Sequence, residues 1–371
     1  MRIVVNDIAA STTGALSILK DFYYYIAEHD TEHEWIFLLG GAYIEETEHI
    51  RVRVLSDVKK SWFKRLKFDL LTGAAYLRSL NPDVVFSMQN TLTRGYHGKQ
   101  VVYVHQPLGF QKIKRFSFFK PAEREYAIYQ YIIGAMIDSA VKHADKTIVQ
   151  TEWMRQAVIE KTKVSPEKVV KILPDIRVDF SEDLGEKEPL QMNRFFFPSG
   201  DILYKNHQCI LEAADLLQKE NITDFEVAFT LTEAEAAESL KYGDSAVKQN
   251  ISCRGRMRRE EVYRLYHERI LVFPSYIETF GYPPAEARQA GGIIFASDCP
   301  FCHEVLEGYA NAYYFNPFKP MELAALMKRA VNGEIKKKAV PKDADMQKQQ
   351  DVASWRTVLE TVVSAAAESE R

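Results

Sequence analysis

The chain has too few cysteines for a disulfide framework, no excess of either charge and no long apolar run. Its 371 residues include four cysteines, Cys209, Cys253, Cys299 and Cys302, too few and too scattered to staple a fold. Cys299 and Cys302 have CxxC spacing with His303 next, a pattern shared by haem attachment sites and half-zinc sites. No second Cys/His pair stands nearby, so the two read as structural thiols, and no metal site is expected. Lysine and arginine number 48 against 51 acids, a formal charge of -3. Nothing in that balance draws nucleic acid, so an anionic ligand must be held by a local set of donors and cations. MRIVVNDIAA lacks the basic segment and apolar run of a signal peptide. The longest apolar stretch, YIIGAMIDSAV at 131–141, is interrupted by Asp138, so no membrane span is expected and a cytoplasmic location is. GxGxxG, Walker A and HExxH motifs are also missing, which argues against dehydrogenase, nucleoside-triphosphatase and zinc-protease readings.

What is present is a two-fold series of short apolar runs. RIVVN (2–6), EWIFLL (34–39), DVVFSM (83–88), QVVYVH (100–105), KTIVQT (146–151) and VVKIL (169–173) form the first. RFFFPS (194–199), FEVAFTL (225–231), NISCRG (250–255), ILVFPS (270–275), GIIFAS (292–297) and NAYYF (311–315) form the second. They are apolar throughout rather than alternating, which predicts parallel strands buried on both faces. Amphipathic segments separate them. In NHQCILEAADLLQKE (206–220), Ile210, Ala213, Ala214 and Leu217 share one helical face. Strand–helix alternation over this length predicts two α/β domains with parallel sheets. The expected division is 1–175, 176–345 and a C-terminal helix in 346–371 that packs back toward the first domain. The polar stretch 173–193, with Pro174, Gly185 and Pro189, is the expected linker.

The segment richest in chemistry is FPSYIETFGYPPAEARQAGGIIFASDCPFCHEVLEG (273–308). Pro283 and Pro284 suit the opening of a helix. The amides of that turn and of Thr279–Tyr282 predict an anion-binding end, with Gly281 allowing close backbone approach. Glu278 in the loop and Glu286, placed in the first helical turn, can both face a pocket at the carboxyl end of a parallel sheet. A carboxylate accepts two hydroxyls at once, so Glu286 suits a ribose diol and Glu278 the hydroxyls of a sugar. Taken singly, a glutamate near a helix start complements the dipole and a loop glutamate is solvated; the E-x7-E pairing beside TFGYPP is what raises them to candidates.

P-S-x-x-E-x-F-G-x-P-x-x-E-A, followed by GG and a strand ending S-D, resembles the donor-site signature of family-4 retaining glycosyltransferases of GT-B fold. The resemblance implies two Rossmann-like domains facing across a cleft, a nucleotide-diphosphate sugar (UDP- or GDP-linked) as co-substrate, and no cofactor or metal. It implies that Glu278 contacts the donor sugar, that Thr279, Phe280, Gly281 and Tyr282 lie beside sugar and phosphates, and that Glu286 holds the ribose. Lys205 matches the lysine of the family's diphosphate clamp, whereas the arginine of that clamp falls on Ser199 or Gly200; Arg254 or Arg256 of CRGRM is the expected substitute. Gly14 in STTGA (11–15) matches a glycine turn beneath the phosphates, and His105 a histidine near the donor sugar. Thr151 of TEWMR is an expected helix cap.

Two basic–aromatic stretches, KKSWFKRLKF (59–68) and GFQKIKRFSFFK (109–120), read either as amphipathic surface loops whose aromatics tuck into the first domain's core or as contacts for anionic lipid headgroups at the inner face of a membrane. The expected activity is retaining transfer of a sugar to a glycan or lipid-linked acceptor in surface polysaccharide synthesis. The alternatives are an epimerase-like enzyme acting on the same donor and a non-enzymatic two-domain binding protein.

Overall fold

A computed structural model of the chain describes residues 1–10, 13–174, 188–240, 246–340 and 355–368. The chain divides into two compact units, Met1–Asp175 with Lys348–Arg371, and Ile176–Gln347. The linker read at 173–193 lies largely outside the described residues, as do Ser11 and Thr12.

Among the described residues of the first unit seven strands are present: β1 (Arg2–Asp7), β2 (Glu34–Leu39), β3 (Ile50–Val54), β4 (Val84–Ser87), β5 (Lys99–Val104), β6 (Lys146–Val149) and β7 (Val169–Lys171). Their order is β3-β2-β1-β4-β5-β6-β7, every pairing parallel. The second unit holds β8 (Arg194–Phe197), β9 (Glu226–Phe229), β10 (Ile251–Cys253), β11 (Ile270–Phe273), β12 (Ile294–Ser297) and β13 (Ala312–Phe315). These run β10-β9-β8-β11-β12-β13, again all parallel. Each apolar run read from the sequence is a strand. The addition is β3, IRVRV, an edge strand whose arginines leave most of its residues exposed or half-exposed; it has no continuous apolar run to betray it.

The order in which strands are added reverses once in each sheet: between β1 and β4 in the first unit, and between β8 and β11 in the second. Loops at the carboxyl ends of the strands part at such a switch point and leave a crevice there. These two places position everything described below.

The first unit's core stacks Ile3, Val5, Trp35, Phe37 and Phe86 against Phe22 of helix Thr13–His29. The last helix, Trp355–Ala367, inserts Val358, Val362 and Ala365 into the same cluster, and its Trp355 ring lies 5.2 Å from Phe22. Each buried valine there contributes roughly 1.5–3 kcal/mol. In the second unit helix His207–Lys219 buries Ile210, Ala213, Ala214 and Leu217, the face read from the sequence.

Candidate functional site

In the second unit the loops after β8 and β11 meet at the switch point. Residues Leu203–Lys205 form a single 3-10 turn, and Asn206 then takes a left-handed conformation, φ 65°, before helix His207–Lys219. The Asn206 amide donates to the carbonyls of Pro274 (3.3 Å) and Pro317 (2.8 Å), pinning the loops after β11 and β13. Asparagine tolerates this backbone region better than other non-glycine residues. Lys205 is thereby aimed at Glu278: Nζ and Oε1 lie 2.5 Å apart, with both side chains less than one-fifth exposed. The Ser275 hydroxyl donates to the same carboxylate at 2.6 Å, and the Ser297 hydroxyl donates to the Ser275 carbonyl at 2.6 Å. Lys205 and Glu278, 73 residues apart in sequence, thus form a half-buried pair at the sheet's carboxyl end.

Gly281 caps the following helix, Tyr282–Gln289, at φ 91°, a conformation open to glycine and costly to residues with a Cβ. Prolines at the helix's second and third positions carry no N–H. A helix start that lacks two of its N–H groups offers fewer donors to an anion than a full first turn. Phe280 is buried with its ring 5.3 Å from that of Tyr282, while Thr279 and Tyr282 are half-buried.

Glu286 is the fifth residue of that helix, so the expected first-turn placement is corrected: the helix has no acid in its first turn. The dipole therefore does little for this carboxylate. Two tyrosines from helix Arg259–Glu268 serve it instead, Tyr266 donating at 3.0 Å and Tyr263 at 3.3 Å. Arg259 stands 3.6 Å away. Burial raises the Glu286 carboxyl above its usual range against the pull of Arg259 and both hydroxyls. Nothing in the sequence marked these tyrosines, because their spacing is that of an ordinary helix face.

The cation expected from CRGRM is divided by the structure. Arg254 is directed to Glu226, 3.5 Å away, at the amino ends of the strands, where Arg194 and Arg269 also converge. It is corrected as a candidate for the donor site: its guanidinium is paired toward the amino ends of the strands, the end opposite Lys205 and Glu278. Arg256 stays in the loop after β10, exposed and within electrostatic reach of Glu235. Ser199 is buried, its carbonyl accepting from Thr230 at 3.2 Å. Gly200 is exposed, with no atom within 4 Å of where a Cβ would stand. His207, missed from the sequence, lies between Phe197 (4.8 Å) and Phe229 (5.1 Å). Burial and the Lys205 charge push its pKa down to about 4, so it is neutral beside the lysine. Cys299 and Cys302 are buried thiols, and burial raises both pKa values, that of Cys299 to about 11. His303 is turned to Asp298, 2.6 Å away.

In the first unit, Gly14 is the second residue of helix Thr13–His29. Thr151 occupies the N-cap position of helix Glu152–Thr162 without a side-chain capping bond. His105 follows β5 directly. Its amide donates to the Asn90 side-chain oxygen at 2.7 Å, and its Nε2 lies 3.2 Å from the Asn90 amide nitrogen. Burial lowers its pKa to about 4. A neutral ring whose Nε2 accepts from Asn90 carries its proton on Nδ1, and Nδ1 has no partner.

His105 lines a pocket of about 240 Å³ at the first unit's switch point, together with Asp7, Arg65, Asp69, Gln89 and Tyr129. Asp7 ends β1, Asp69 sits in the π-helical turn Phe68–Thr72, and each is 3% exposed. Burial raises Asp7 to about 7 and Asp69 to about 6, with the nearby Arg65 opposing both shifts. These acids escaped the sequence reading, in which 59–68 stood out only as a basic–aromatic stretch; an acid closing an apolar strand was the available signal for Asp7.

Residues 181–349 match the family described as glycosyl transferases group 1. The serotype-specific mannosyltransferase WbdA of Escherichia coli is 24% identical over 207 residues, 52% of this chain and 25% of that protein. The chain thus spans about a quarter of the length of the curated relatives it matches. Among solved structures, sucrose-phosphate synthase from Thermosynechococcus elongatus aligns with a TM-score of 0.68 at 13% identity, covering 97% of this chain and 96% of that one. Anabaena HepE in complex with UDP-glucose aligns with a TM-score of 0.67 at 14% identity, covering 99% of each. At such identities the likeness is one of fold, and the fold is GT-B.

Proposed function

We propose that the chain, whose residues 181–349 match the glycosyl transferases group 1 family, is a retaining glycosyltransferase. It moves a sugar from a nucleotide-diphosphate donor to a glycan or lipid-linked acceptor, in the synthesis of a surface polysaccharide. The observation that carries this reading is the Lys205–Glu278 pair at the switch point of the second sheet. A cation and a carboxylate held together in a half-buried crevice suit a ligand with one anionic and one polyhydroxylated part. In the donor-bound state Lys205 turns to the diphosphate and Glu278 accepts hydroxyls of the transferred sugar. The Tyr282, Gly281 and Phe280 amides and Arg256 add to the charge stabilisation as the diphosphate departs. Each Glu286 oxygen, having accepted one tyrosyl hydroxyl, keeps a lone pair for a ribose hydroxyl.

Retention proceeds by attack on the face from which the diphosphate leaves, the leaving oxygen taking the acceptor's proton. No two-step displacement through a second carboxylate is invoked. The first unit binds the acceptor.

Lipid-linked acceptors fit the exposed apolar side chains of the first unit. Phe63 is 76% exposed, Leu71 74% and Phe119 94%, with Phe118, Tyr131 and Ile132 also outward. Lys60, Lys64, Lys67, Lys112, Lys114, Arg115 and Lys120 intersperse them in sequence. Aromatic and aliphatic tips among lysines suit peripheral contact with an anionic bilayer.

The test is thermal unfolding with UDP, GDP, ADP and their common sugar conjugates. Ligand at about 100 times its dissociation constant adds roughly 2.7 kcal/mol. One nucleotide is expected to raise the melting temperature, and Glu286→Ala to abolish the rise. Absence of a shift with every nucleotide refutes the donor-site reading. Conversion of donor without any acceptor would favour an epimerase-like enzyme instead.

A further inference from the structure

We infer that the pocket of Asp7, Arg65, Asp69 and Gln89 in the first unit is the acceptor site, and that it selects a neutral, polyhydroxylated sugar end over a phosphorylated or acidic one. The acceptor role rests on the glycosyltransferase reading; the preference for a neutral ligand rests on the pocket itself.

The pocket lies where the order of the first sheet reverses. Asp7 stands at the end of β1, with Gln89 and Asn90 just past the end of β4. Arg65 and Asp69 line it together with Tyr129, Ile133 and Met136. Arg65 is the only lysine or arginine among the described residues that line it, against two carboxyl groups. It does not close on either acid tightly: its Nε is 3.8 Å from Asp69. Lys59, which also acts on Asp7, is occupied by the Ala10 carbonyl and the Tyr43 hydroxyl.

A buried aspartate whose work is structural looks different in this same unit. Asp30, 6% exposed, accepts from the Glu32 and His33 amides, the His33 ring and the Trp35 indole. Burial works against its charge, yet those donors bring its pKa below the usual range. Asp7 and Asp69 are as deeply buried and thinly supplied. Asp7 has the Ala10 amide, and Asp69 has the Gln89 side-chain amide at 3.5 Å. Gln89, 5% exposed, lines the same pocket with a side-chain oxygen that has no partner. Buried polar groups left short of partners cost stability, and a crevice lined by the unpartnered Gln89 Oε1, Thr91 Oγ1 and His105 Nδ1 beside two buried acids is built for a ligand that completes them. Sugar hydroxyls do so, since each donates to a carboxylate or amide oxygen and accepts from Arg65 or the His105 Nδ1–H. A phosphate or a second carboxylate would bring charge against Asp69 and the ionised fraction of Asp7, raised to about 6 and about 7, with one guanidinium lining the pocket to offset it, where the low dielectric strengthens repulsion.

The experiment is saturation-transfer NMR on the full chain. The neutral probes are the methyl glycosides of mannose, glucose, galactose and N-acetylglucosamine. The anionic probes are methyl glucuronide, mannose 6-phosphate and inositol 1-phosphate. At least one neutral glycoside is expected to bind and no anionic one, with Asp69→Asn and Asp7→Asn each weakening the neutral ligand roughly tenfold. Ile133→Trp, which fills the pocket without touching either acid, is expected to abolish binding. Nucleotide-induced melting shifts report that each variant is folded with its donor site intact. The inference is overturned if an anionic probe binds as well as the neutral ones, if no neutral glycoside binds, or if the variants bind like the parent. Loss of nucleotide binding alone, with carbohydrate binding and its aspartate dependence intact, would remove the transferase reading and leave a neutral-carbohydrate site.

Discussion

Replacing Lys205 by methionine removes the cation from Glu278 while keeping much of the side-chain volume. The pair is less than one-fifth exposed on both sides, so the carboxylate left behind is held in a poorly solvated place with the Ser275 hydroxyl as its remaining close donor. Breaking a fully buried pair from one side costs about 3–5 kcal/mol; with this degree of exposure we expect about 2–3 kcal/mol. For a unit of this size that is a fall of roughly 4–12 °C in the melting temperature. Glu278→Gln, which strands the ammonium, should cost a similar amount. The double variant Lys205→Met/Glu278→Gln should recover most of the loss, because no uncompensated charge remains and Ser275 can still donate to the amide oxygen. Activity should behave differently. Removing a group that stabilises the leaving charge costs about 10²–10³ in kcat, and the double variant should recover none of it. Calorimetry of the four proteins gives the coupling energy, and single-turnover transfer assays give the rates. If the two stability losses add in the double variant, the pair does not exist in solution. If the double variant regains activity, neither residue acts on the donor.

Gly281→Ala should destabilise the second unit by about 1–2 kcal/mol, because φ is 91° there although the added methyl would meet Phe301 and Phe273 only at ordinary contact distances of 3.6–3.7 Å; urea unfolding measures it. Val362→Asp should unfold the first unit while sparing the second, since it buries an unpaired charge in the cluster around Phe22, and scanning calorimetry should show one transition lost. Asp7 is raised from its unfolded value of 3.8 to about 7 in the fold, so the native state binds the extra proton between those values. Stability from this group is fully present below about pH 4 and is lost as pH rises toward 7. Asp7→Asn should therefore be the more stable protein at pH 8, by roughly 1–4 kcal/mol, with the advantage vanishing near pH 4 in denaturant titrations. Phe63→Ser/Phe119→Ser should cut sedimentation with vesicles containing anionic lipid, and leave nucleotide-induced melting shifts unchanged.

The sheets were legible because buried parallel strands write themselves as uninterrupted apolar runs. β8, RFFF, and β11, ILVF, could not be half-exposed strands, and neither could hide from a reading of hydropathy. β3 was hidden because an edge strand with Arg51 and Arg53 turned outward has no such run. In the site, the left-handed Gly281 and the helix that follows it were visible from G-Y-P-P, since glycine and proline constrain the backbone locally. The register of that helix was not, and Glu286 moved from the first turn to the second because one residue of helix start is below what local pattern resolves.

Sequence by itself determined the two α/β units, their parallel sheets and the loop likeness around 273–308, all of which depend on neighbours in the chain. The tertiary structure alone decided which charges meet. Lys205 meets Glu278 because β8 and β11 are adjacent across a switch point. Arg254 is drawn instead to Glu226 at the amino ends of the strands, and Asp7 and Asp69 share Arg65 because a strand end and a π-helical turn converge there. Electrostatic interaction falls with distance and grows with burial, and neither quantity is written in the order of residues along the chain.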